Sequence, residues 1–155
     1  MYKILFICLG NICRSPMAEF LLKDMVKKRG IADNFYIASA ATSSYEIGNS
    51  VHRGTRTKLA EYGISVGRKT AVQLTKADYD IYDYLIGMDS GNIHDILRII
   101  GSDPKHKVYK LLQFACSDRN IADPWYTGNF DVTYDDIYEG CNALLNFLET
   151  KKTFS

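Results

Sequence analysis

A short segment near the N-terminus combines a nucleophile with groups that bind an anion. Cys8 is followed by Arg14 six positions later, and Ser15 and Pro16 come directly after the arginine. Consecutive backbone N–H groups in a tight loop bind anions, and free amides at a helix N-terminus add to the effect. A guanidinium grips two phosphate oxygens in its planar fork. The segment therefore predicts a Cys8 thiolate, hydrogen-bonded by Ser15, that faces a bound phosphoryl group.

A second segment offers the acid that such a reaction needs. A phenolate leaving group, whose conjugate acid has a pKa near ~10, must receive a proton in the transition state. Asp123 is the candidate donor, and the following Pro124 restricts it to an extended backbone. Trp125 and Tyr126 are expected to form one wall of a slot for an aryl ring, and Tyr45 the opposite wall. Asp-Pro alone is equally typical of an ordinary turn.

These residues require elements that bring them together. The apolar run at 3–8 predicts a buried parallel strand, and Ser15 and Gly30 predict the N-cap and the end of a helix reaching about Arg29. The other predicted elements are strands at 35–39, 84–88 and 108–112, helices at about 54–62, 90–100 (capped by Ser90) and 132–149, and loops at 42–50 and 118–131. This alternation predicts an α/β fold with a parallel sheet, which binds ligands at the carboxyl ends of its strands.

Composition is that of one ordinary globular domain. The chain has 155 residues, of which 46% are hydrophobic and 24% charged. No apolar run is long enough for a membrane span or a secretory signal, so we expect a cytoplasmic protein. The net charge of +1 argues against general nucleic-acid binding. Residues 1–77 hold 12 Lys and Arg against 5 Asp and Glu, and residues 78–155 hold 7 against 13, so the phosphate site falls in the basic half.

The four cysteines indicate neither a disulfide framework nor a structural zinc site. Only Cys8 and Cys13 are close in sequence, and their spacing does not match that of zinc ligands. Cys116 and Cys141 are predicted to be buried small hydrophobic residues, with Cys141 on the apolar face of the last helix. Surface or helix-face positions are predicted for the three histidines: His52, His94 and His106.

The sequence resembles the low-molecular-weight protein tyrosine phosphatases along essentially its whole length. The resemblance is carried by Ile7–Glu19 (ICLGNICRSPMAE), Ser39–Gly48 (SAATSSYEIG), Gln73-Leu74-Thr75, Met88-Asp89 with Asn92, and Asp123-Pro124. It implies a single three-layer α/β domain over residues 1–155, with a four-stranded parallel sheet of order 2-1-3-4 and helices on both faces. It also implies hydrolysis of phosphotyrosine and small aryl phosphates through a cysteinyl-phosphate intermediate, without a metal or other cofactor.

The resemblance also implies roles for individual residues. Cys8 would be the nucleophile, Arg14 the phosphate clamp and Asp123 the general acid. Cys13 would be the second loop cysteine, which in this family can pair with the nucleophile on oxidation, while Asn11 and Ser15 would hold the shape of the loop. The implied phosphate-binding residues are Leu9, Gly10, Asn11, Ile12, Cys13, Arg14 and Ser15, and the implied substrate-pocket residues are Tyr45, Glu46, Trp125 and Tyr126.

The implied partners are phosphotyrosine-containing proteins or peptides, with inorganic phosphate as product. Nucleic acid and membranes are not expected as partners. The expected state is a monomer, with a weak dimer as the alternative.

Three positions depart from the residues usual in this family. Trp125 stands where Tyr usually follows Asp-Pro, and Ala38 stands where an Asp often precedes the serine. Lys69 stands where a histidine usually supports Asn11. Because a lysine cannot accept a hydrogen bond, the sequence leaves the support of Asn11 open.

Other functions on the same loop remain to be separated. A thiol-dependent arsenate reductase needs a relay of further cysteines, but Cys116 and Cys141 lie 25 positions apart and Cys141 is predicted to be buried. A phosphoarginine phosphatase on the same fold stays open, because the depth of the slot is a three-dimensional quantity. A phosphate-binding module without catalysis would need neither Cys8 nor Asp123.

Overall fold

Four parallel strands form one sheet, and the first strand of the chain occupies one of its two central positions. A computed structural model describes the backbone of residues 1–154 and the side chains of residues 1–151. The strands are β1 (Tyr2–Cys8), β2 (Phe35–Ala41), β3 (Tyr84–Gly87) and β4 (Val108–Lys110), and their order is β2-β1-β3-β4. Every pairing is parallel. The predicted α/β class and the implied strand order 2-1-3-4 are confirmed.

Helices cover both faces of this sheet. They are α1 (Arg14–Lys28), α2 (Arg53–Ala60), α3 (Asp78–Ile81), α4 (Ser90–Ile100), α5 (Pro124–Thr127) and α6 (Phe130–Phe154). Two short 3-10 turns lie at Ala32–Asn34 and Leu111–Ala115. The predicted helix stop at Gly30 is confirmed, since this residue follows α1 with a φ of +71° that glycine adopts without strain.

The core explains why β1 is apolar without alternation. Ile4 and Phe6 pack with α1 and α6 on one face, whereas Leu5 and Ile7 pack with α4 on the other. A strand covered on both faces needs apolar side chains at every position. The last helix buries its predicted stripe completely: Ile137, Cys141, Leu144, Leu145 and Leu148.

Several predicted boundaries are wrong, each for a local reason. Helix α1 begins at Arg14 with Cys13 as its N-cap, because the Ser15 hydroxyl binds the Cys8 sulfur instead of capping the helix. Asp89, not Ser90, caps α4, in a capping box with Asn92.

Other segments differ in length or in type of structure. The predicted fourth strand ends at Lys110 and continues as a 3-10 turn. The predicted loop at 118–131 contains α5 and the start of α6, and α3 was not predicted. Both α3 and α5 have only four residues, too few to show a hydrophobic period.

The prediction for the two C-terminal cysteines is half right. Cys141 is fully buried, but Cys116 is exposed, at a left-handed position (φ +59°) that ends the second 3-10 turn. Within residues 1–154, no helix combines the length and the apolar character needed to cross a bilayer. Nor do three or more His, Cys, Asp or Glu side chains within that range cluster as metal ligands would.

Candidate active site

The carboxyl ends of the strands meet around one cavity of about 220 Å³. The loop at 8–15 follows the central strand β1, the loop carrying Tyr45 follows β2, and Asp123 lies directly before α5. The cavity is lined by Cys8, Leu9, Gly10, Ile12, Cys13, Arg14, Tyr45, Glu46, Asp123, Trp125 and Tyr126. It thus brings together all the predicted site residues except Asn11 and Ser15, which lie buried beside it.

The Cys8 sulfur lies among hydrogen-bond donors. The Ser15 hydroxyl is 3.0 Å from Sγ, and the backbone N–H of Asn11 donates to Sγ at 3.3 Å. Cys8 is 3% exposed, so the sulfur meets solvent only through the cavity. Donors directed at sulfur stabilise a thiolate more than a thiol.

Backbone carbonyls of the loop at 8–15 accept hydrogen bonds from residues outside the loop. Cys8 accepts from the N–H of Thr42 at 2.9 Å, Leu9 from Ser43 at 3.0 Å and Ile12 from His52 at 2.8 Å. Among the residues that the structure describes, no protein group accepts a hydrogen bond from the N–H groups of Gly10, Ile12 or Cys13. Such amides are the usual partners of a bound oxyanion.

Asn11 determines the direction of the hydrogen bonds around Cys8. Its Oδ1 accepts from the Val72 N–H at 3.1 Å, so its Nδ2 donates to Ser15 Oγ at 2.8 Å and to Ser39 Oγ at 2.9 Å. Each serine accepts from Asn11 and keeps its own hydrogen for another acceptor, which for Ser15 can be the Cys8 sulfur. These bonds also hold Asn11 at its φ of +58°, a conformation unfavourable for most residues with a Cβ.

The chain of hydrogen bonds continues from Ser39 to a buried carboxylate. Ser39 Oγ donates to Glu19 Oε1 at 2.6 Å, and Glu19 is 4% exposed. Lys23 Nζ lies 2.6 Å from Glu19 Oε2 and neutralises this charge from the surface side. The two serines thus link the Cys8 sulfur at one end of this chain of hydrogen bonds to the Glu19 carboxylate at the other.

The structure answers the question that Lys69 left open. Lys69 Nζ donates to the Ser39 backbone carbonyl at 2.9 Å and lies 4.0 Å from Glu19 Oε1. Asn11 receives its support from Ser15, Ser39 and the Val72 N–H and does not contact the lysine. Burial lowers the pKa of Lys69, although the nearby Glu19 opposes this shift.

Arg14 is clamped on its outer side. Nη1 donates to Asp89 Oδ2 at 2.6 Å and to the Ile121 carbonyl at 2.9 Å, and Nη2 lies 3.5 Å from Asp123 Oδ2. Burial works against the charged guanidinium, but the attraction of Cys8, Asp89 and Asp123 outweighs it and raises the pKa of Arg14. In the described chain, the buried Nε of Arg14 has no acceptor, which leaves one N–H for a ligand.

Asp123 and the aromatic residues form the mouth of the cavity. Asp123 Oδ1 accepts from the Trp125 N–H at 3.0 Å, which makes Asp123 the N-cap of α5, and its φ of −83° and ψ of 114° confirm the extended backbone predicted before Pro124. Tyr45 is 80%, Trp125 56% and Tyr126 76% exposed. Glu46 Oε2 accepts from Asn49 Nδ2 at 2.5 Å.

Comparison with known proteins supports the interpretation of this geometry. The family model described as low molecular weight phosphotyrosine protein phosphatase matches residues 3–153. The chain belongs to this family. It is 38% identical to the low molecular weight protein-tyrosine-phosphatase YfkJ of Bacillus subtilis, over 98% of this chain and 99% of that protein. Low-molecular-weight protein-tyrosine phosphatase activity follows from this full-length homology.

Solved structures show the same relationship. The crystal structure of YfkJ superposes with a TM-score of 0.93 at 39% identity, covering 98% of this chain and 97% of that one. The SP-PTP phosphatase of Streptococcus pyogenes superposes with a TM-score of 0.86 at 40% identity, covering 96% and 93%. A Drosophila arginine phosphatase, DARP, gives a TM-score of 0.86 at 28% identity, covering 94% and 97%.

The second loop cysteine of this phosphatase differs from Cys8 in its surroundings. Burial, followed by repulsion from Cys8 and Asp123, raises the pKa of Cys13 to about 12. Cys13 therefore stays a thiol at neutral pH. All four cysteines are free.

Sequence reasoning missed several side chains that shape the site. Asp89 clamps Arg14, while Ser39 and Glu19 extend the hydrogen bonding from Asn11. Asp89 had a usable signal, because it follows the buried strand β3 at the edge where ligands bind. Ser39 and Glu19 carried none beyond their place in the family motifs, since a serine in a strand and a glutamate in a helix are common at solvated positions.

Proposed function

We propose that the protein hydrolyses phosphotyrosine and other aryl phosphates in two steps at Cys8. The Cys8 thiolate attacks phosphorus, so that the S–P bond forms as the P–O bond to the phenol breaks, and Asp123 gives its proton to the departing oxygen. Water then attacks the cysteinyl-phosphate, Asp123 takes a proton from it, and the S–P bond breaks to release inorganic phosphate. Arg14 and the loop amides stabilise the phosphoryl oxygens in both steps.

One observation carries this proposal. A buried guanidinium N–H of Arg14 and the backbone N–H groups of Gly10, Ile12 and Cys13 have no protein acceptor within the described chain. These residues line the same cavity as Cys8, whose sulfur is hydrogen-bonded to Ser15 and to the Asn11 N–H. Buried donors left without acceptors are costly. A tetrahedral oxyanion over Cys8 would supply the acceptors that these donors lack.

Asp123 suits the role of proton donor to the leaving group. Its Oδ1 accepts from the Trp125 N–H at 3.0 Å, and its Oδ2 lies 3.5 Å from Arg14 Nη2 at the mouth of the cavity. The reaction then needs an ionised Cys8 with a protonated Asp123, so we expect a bell-shaped rate profile with an acidic optimum.

The mouth of the cavity suits an aromatic substrate. Tyr45 and Trp125 line it together with Ile12, and these apolar surfaces favour the ring of phosphotyrosine in a protein or peptide. We also propose that residues 1–155 form one phosphatase domain. Free thiols at Cys8 and Cys13 suit a reducing compartment, which supports a cytoplasmic site of action.

Arsenate reduction is less well supported. A disulfide relay needs a further thiol that can reach Cys8 or Cys13. Cys141 is fully buried on α6 within the hydrophobic core, and its sulfur lies 3.9 Å from the Ala18 carbonyl. Cys116 is exposed but belongs to the turn that follows β4. Neither cysteine lines the cavity.

Two substitutions test the proposal together. Cys8→Ser should abolish turnover of p-nitrophenyl phosphate, because the hydroxyl is not ionised, while inorganic phosphate still binds to the loop in calorimetry. Asp123→Asn should lower kcat about 10²- to 10³-fold for phenyl phosphate, whose leaving group needs a proton. The loss should be much smaller for p-nitrophenyl phosphate, whose phenol is far more acidic.

The controls separate the alternatives. Cys116→Ser should retain full turnover, and phosphoserine, phosphoarginine and arsenate complete the panel of substrates. Turnover that survives Cys8→Ser, or an Asp123→Asn loss that is equal for both leaving groups, would contradict the assigned roles. Phosphoarginine turnover faster than phosphotyrosine turnover would identify phosphoarginine, and not phosphotyrosine, as the substrate class.

A further inference from the structure

His52 joins the phosphate-binding loop to the start of α2. Its backbone N–H donates to the Ile12 carbonyl at 2.8 Å, and its Nδ1 accepts from the Gly54 N–H at 2.9 Å as the N-cap of α2. The backbone position and one ring nitrogen are thereby fixed. The sequence had predicted only a surface or helix-face histidine.

The fixed imidazole lies between two aromatic rings. It meets Trp125 edge-on, with centroids 5.7 Å apart and planes at 79°, and it stacks on Phe130 at 5.3 Å and 20°. Edge-to-face and stacked pairs are both favourable ring arrangements. Phe130 in turn packs against the small cluster that contains Ile12 and Cys13. A continuous line of contacts therefore runs from the phosphate-binding loop to the Trp125 ring.

Gly54 leaves the space that this stack requires. A Cβ at position 54 would lie 2.3 Å from the Phe130 ring, a distance that real contacts do not reach. Any larger residue would displace Phe130 from beneath His52. Phe130 is the first residue of α6 and ends the segment that begins at Asp123. This segment is therefore anchored beside His52.

The orientation of the Trp125 ring depends on its contact with His52. The Trp125 N–H bonds to Asp123, which fixes the backbone but not the ring. Among the described residues, His52 is the one aromatic ring in contact with the indole. His52 also lines an open hollow of about 660 Å³ together with Arg53, Asn129 and others, and the indole itself is 56% exposed. Without the imidazole, the indole has room to turn out of the slot.

We propose that His52 is a positioning residue that orients Trp125 as a wall of the slot and so favours aryl phosphates. The inference deepens the proposed function and rests on it. His52 touches neither the sulfur nor the phosphate, and it acts through the ring that meets the substrate. Its removal therefore weakens recognition of the aryl group while the affinity for phosphate stays unchanged.

Two variants separate the ring of His52 from its capping nitrogen. His52→Asn keeps an oxygen that can accept from the Gly54 N–H but has no ring. His52→Phe keeps a ring between Trp125 and Phe130 but loses the cap. Gly54→Ala provides an independent route, because it displaces Phe130 and leaves His52 in place. His94→Asn, on the exposed side of α4, is the matched control.

Two readouts are needed. The first is KM for phosphotyrosine and β-naphthyl phosphate, set against the inhibition constant of inorganic phosphate. The second is the emission of Trp125, the single tryptophan of the chain. For His52→Asn and Gly54→Ala we expect KM to rise about three- to tenfold, the size of one aromatic pair. We expect unchanged phosphate inhibition and a red-shifted emission, while His52→Phe restores both KM and emission.

The outcomes distinguish this inference from the proposed function. Wild-type KM and emission in both His52→Asn and Gly54→Ala would overturn it. So would a His52→Phe variant as impaired in KM as His52→Asn, because the cap and not the ring would then matter. Phosphate inhibition that weakens in parallel with KM would show a general distortion of the loop. A wild-type protein without aryl phosphatase activity would instead refute the proposed function, and the emission measurement would still test the His52–Trp125 contact.

Discussion

The two sides of the Cys8 sulfur are built in opposite ways. Behind it lies a buried network of Asn11, Ser15, Ser39 and Glu19, in which every side chain is hydrogen-bonded and at most 4% exposed. In front of it lies an aromatic rim of Tyr45, Trp125 and Tyr126, whose members are at least 56% exposed.

This difference separates two tasks. The buried network permits one arrangement of donors around the sulfur, since each bond direction follows from the one before it. The rim residues are held by few contacts and can be exchanged without disturbing that arrangement. We infer that the network determines the rate of the chemical step and the rim determines which phosphate esters reach it. Substitutions on the two sides are therefore expected to differ in size and in the kinetic constant that they change.

The largest effect is expected at Asn11. Asn11→Ala removes three hydrogen bonds and leaves a residue with a Cβ at a φ of +58°. We expect kcat for p-nitrophenyl phosphate to fall about 100-fold, because small displacements of reacting groups have effects of this size. The free energy of unfolding should fall by about 2–4 kcal/mol, measured by urea denaturation.

Matched variants identify the cause of that loss. Asn11→Gly removes the same hydrogen bonds but adopts the positive φ without strain, so it should recover part of the stability and little of kcat. Asn146→Ala, at an exposed position of α6, should match the wild type. A near-normal kcat in Asn11→Ala would contradict this division of tasks, since the network would then not control the chemical step.

A smaller and different effect is expected at the rim. Tyr45→Ala removes an 80% exposed ring from the mouth of the slot. We expect KM for phosphotyrosine to rise about three- to tenfold, the contribution of one ring contact, with kcat and the inhibition constant of inorganic phosphate unchanged. Tyr138→Ala, on the surface of α6, is the control. A loss confined to kcat would show that Tyr45 acts in the chemical step, which would contradict the division between the network and the rim.

Sequence reasoning reached the rim and the loop more readily than the network. Cys8 and Arg14 belong to one contiguous segment between a buried strand and a helix, so their proximity follows from local structure. The network joins residues 11–19 to Ser39 on β2, and only tertiary structure brings Ser39 between Asn11 and Glu19. The role of His52 was equally hidden, because it depends on Phe130 lying 78 positions later.

The smallest effect is expected at Lys69, which lies at the outer edge of the network. Lys69 binds the Ser39 carbonyl, while Glu19 keeps its closer partner Lys23 at 2.6 Å. Lys69→Met fills a similar volume without the charge. We therefore expect kcat to stay within about twofold of the wild type, since the bonds of Asn11 remain. A kcat loss as large as that of Asn11→Ala would place Lys69 inside the network.

The dependence of stability on pH makes the Lys69 test sharper. Burial places the pKa of Lys69 below its ordinary value of 10.5, with Glu19 opposing the shift and Lys23 adding to it. The native chain then loses this proton before the unfolded chain does, so Lys69 adds stability as pH rises through the window between the two pKa values. The unfolding free energy of the wild type should therefore rise relative to that of Lys69→Met as the pH rises toward the ordinary lysine value of 10.5. Lys27→Met, exposed on α1, should show no such rise. A difference that shrinks with pH would mean that the Glu19 ion pair, and not burial, dominates at Lys69.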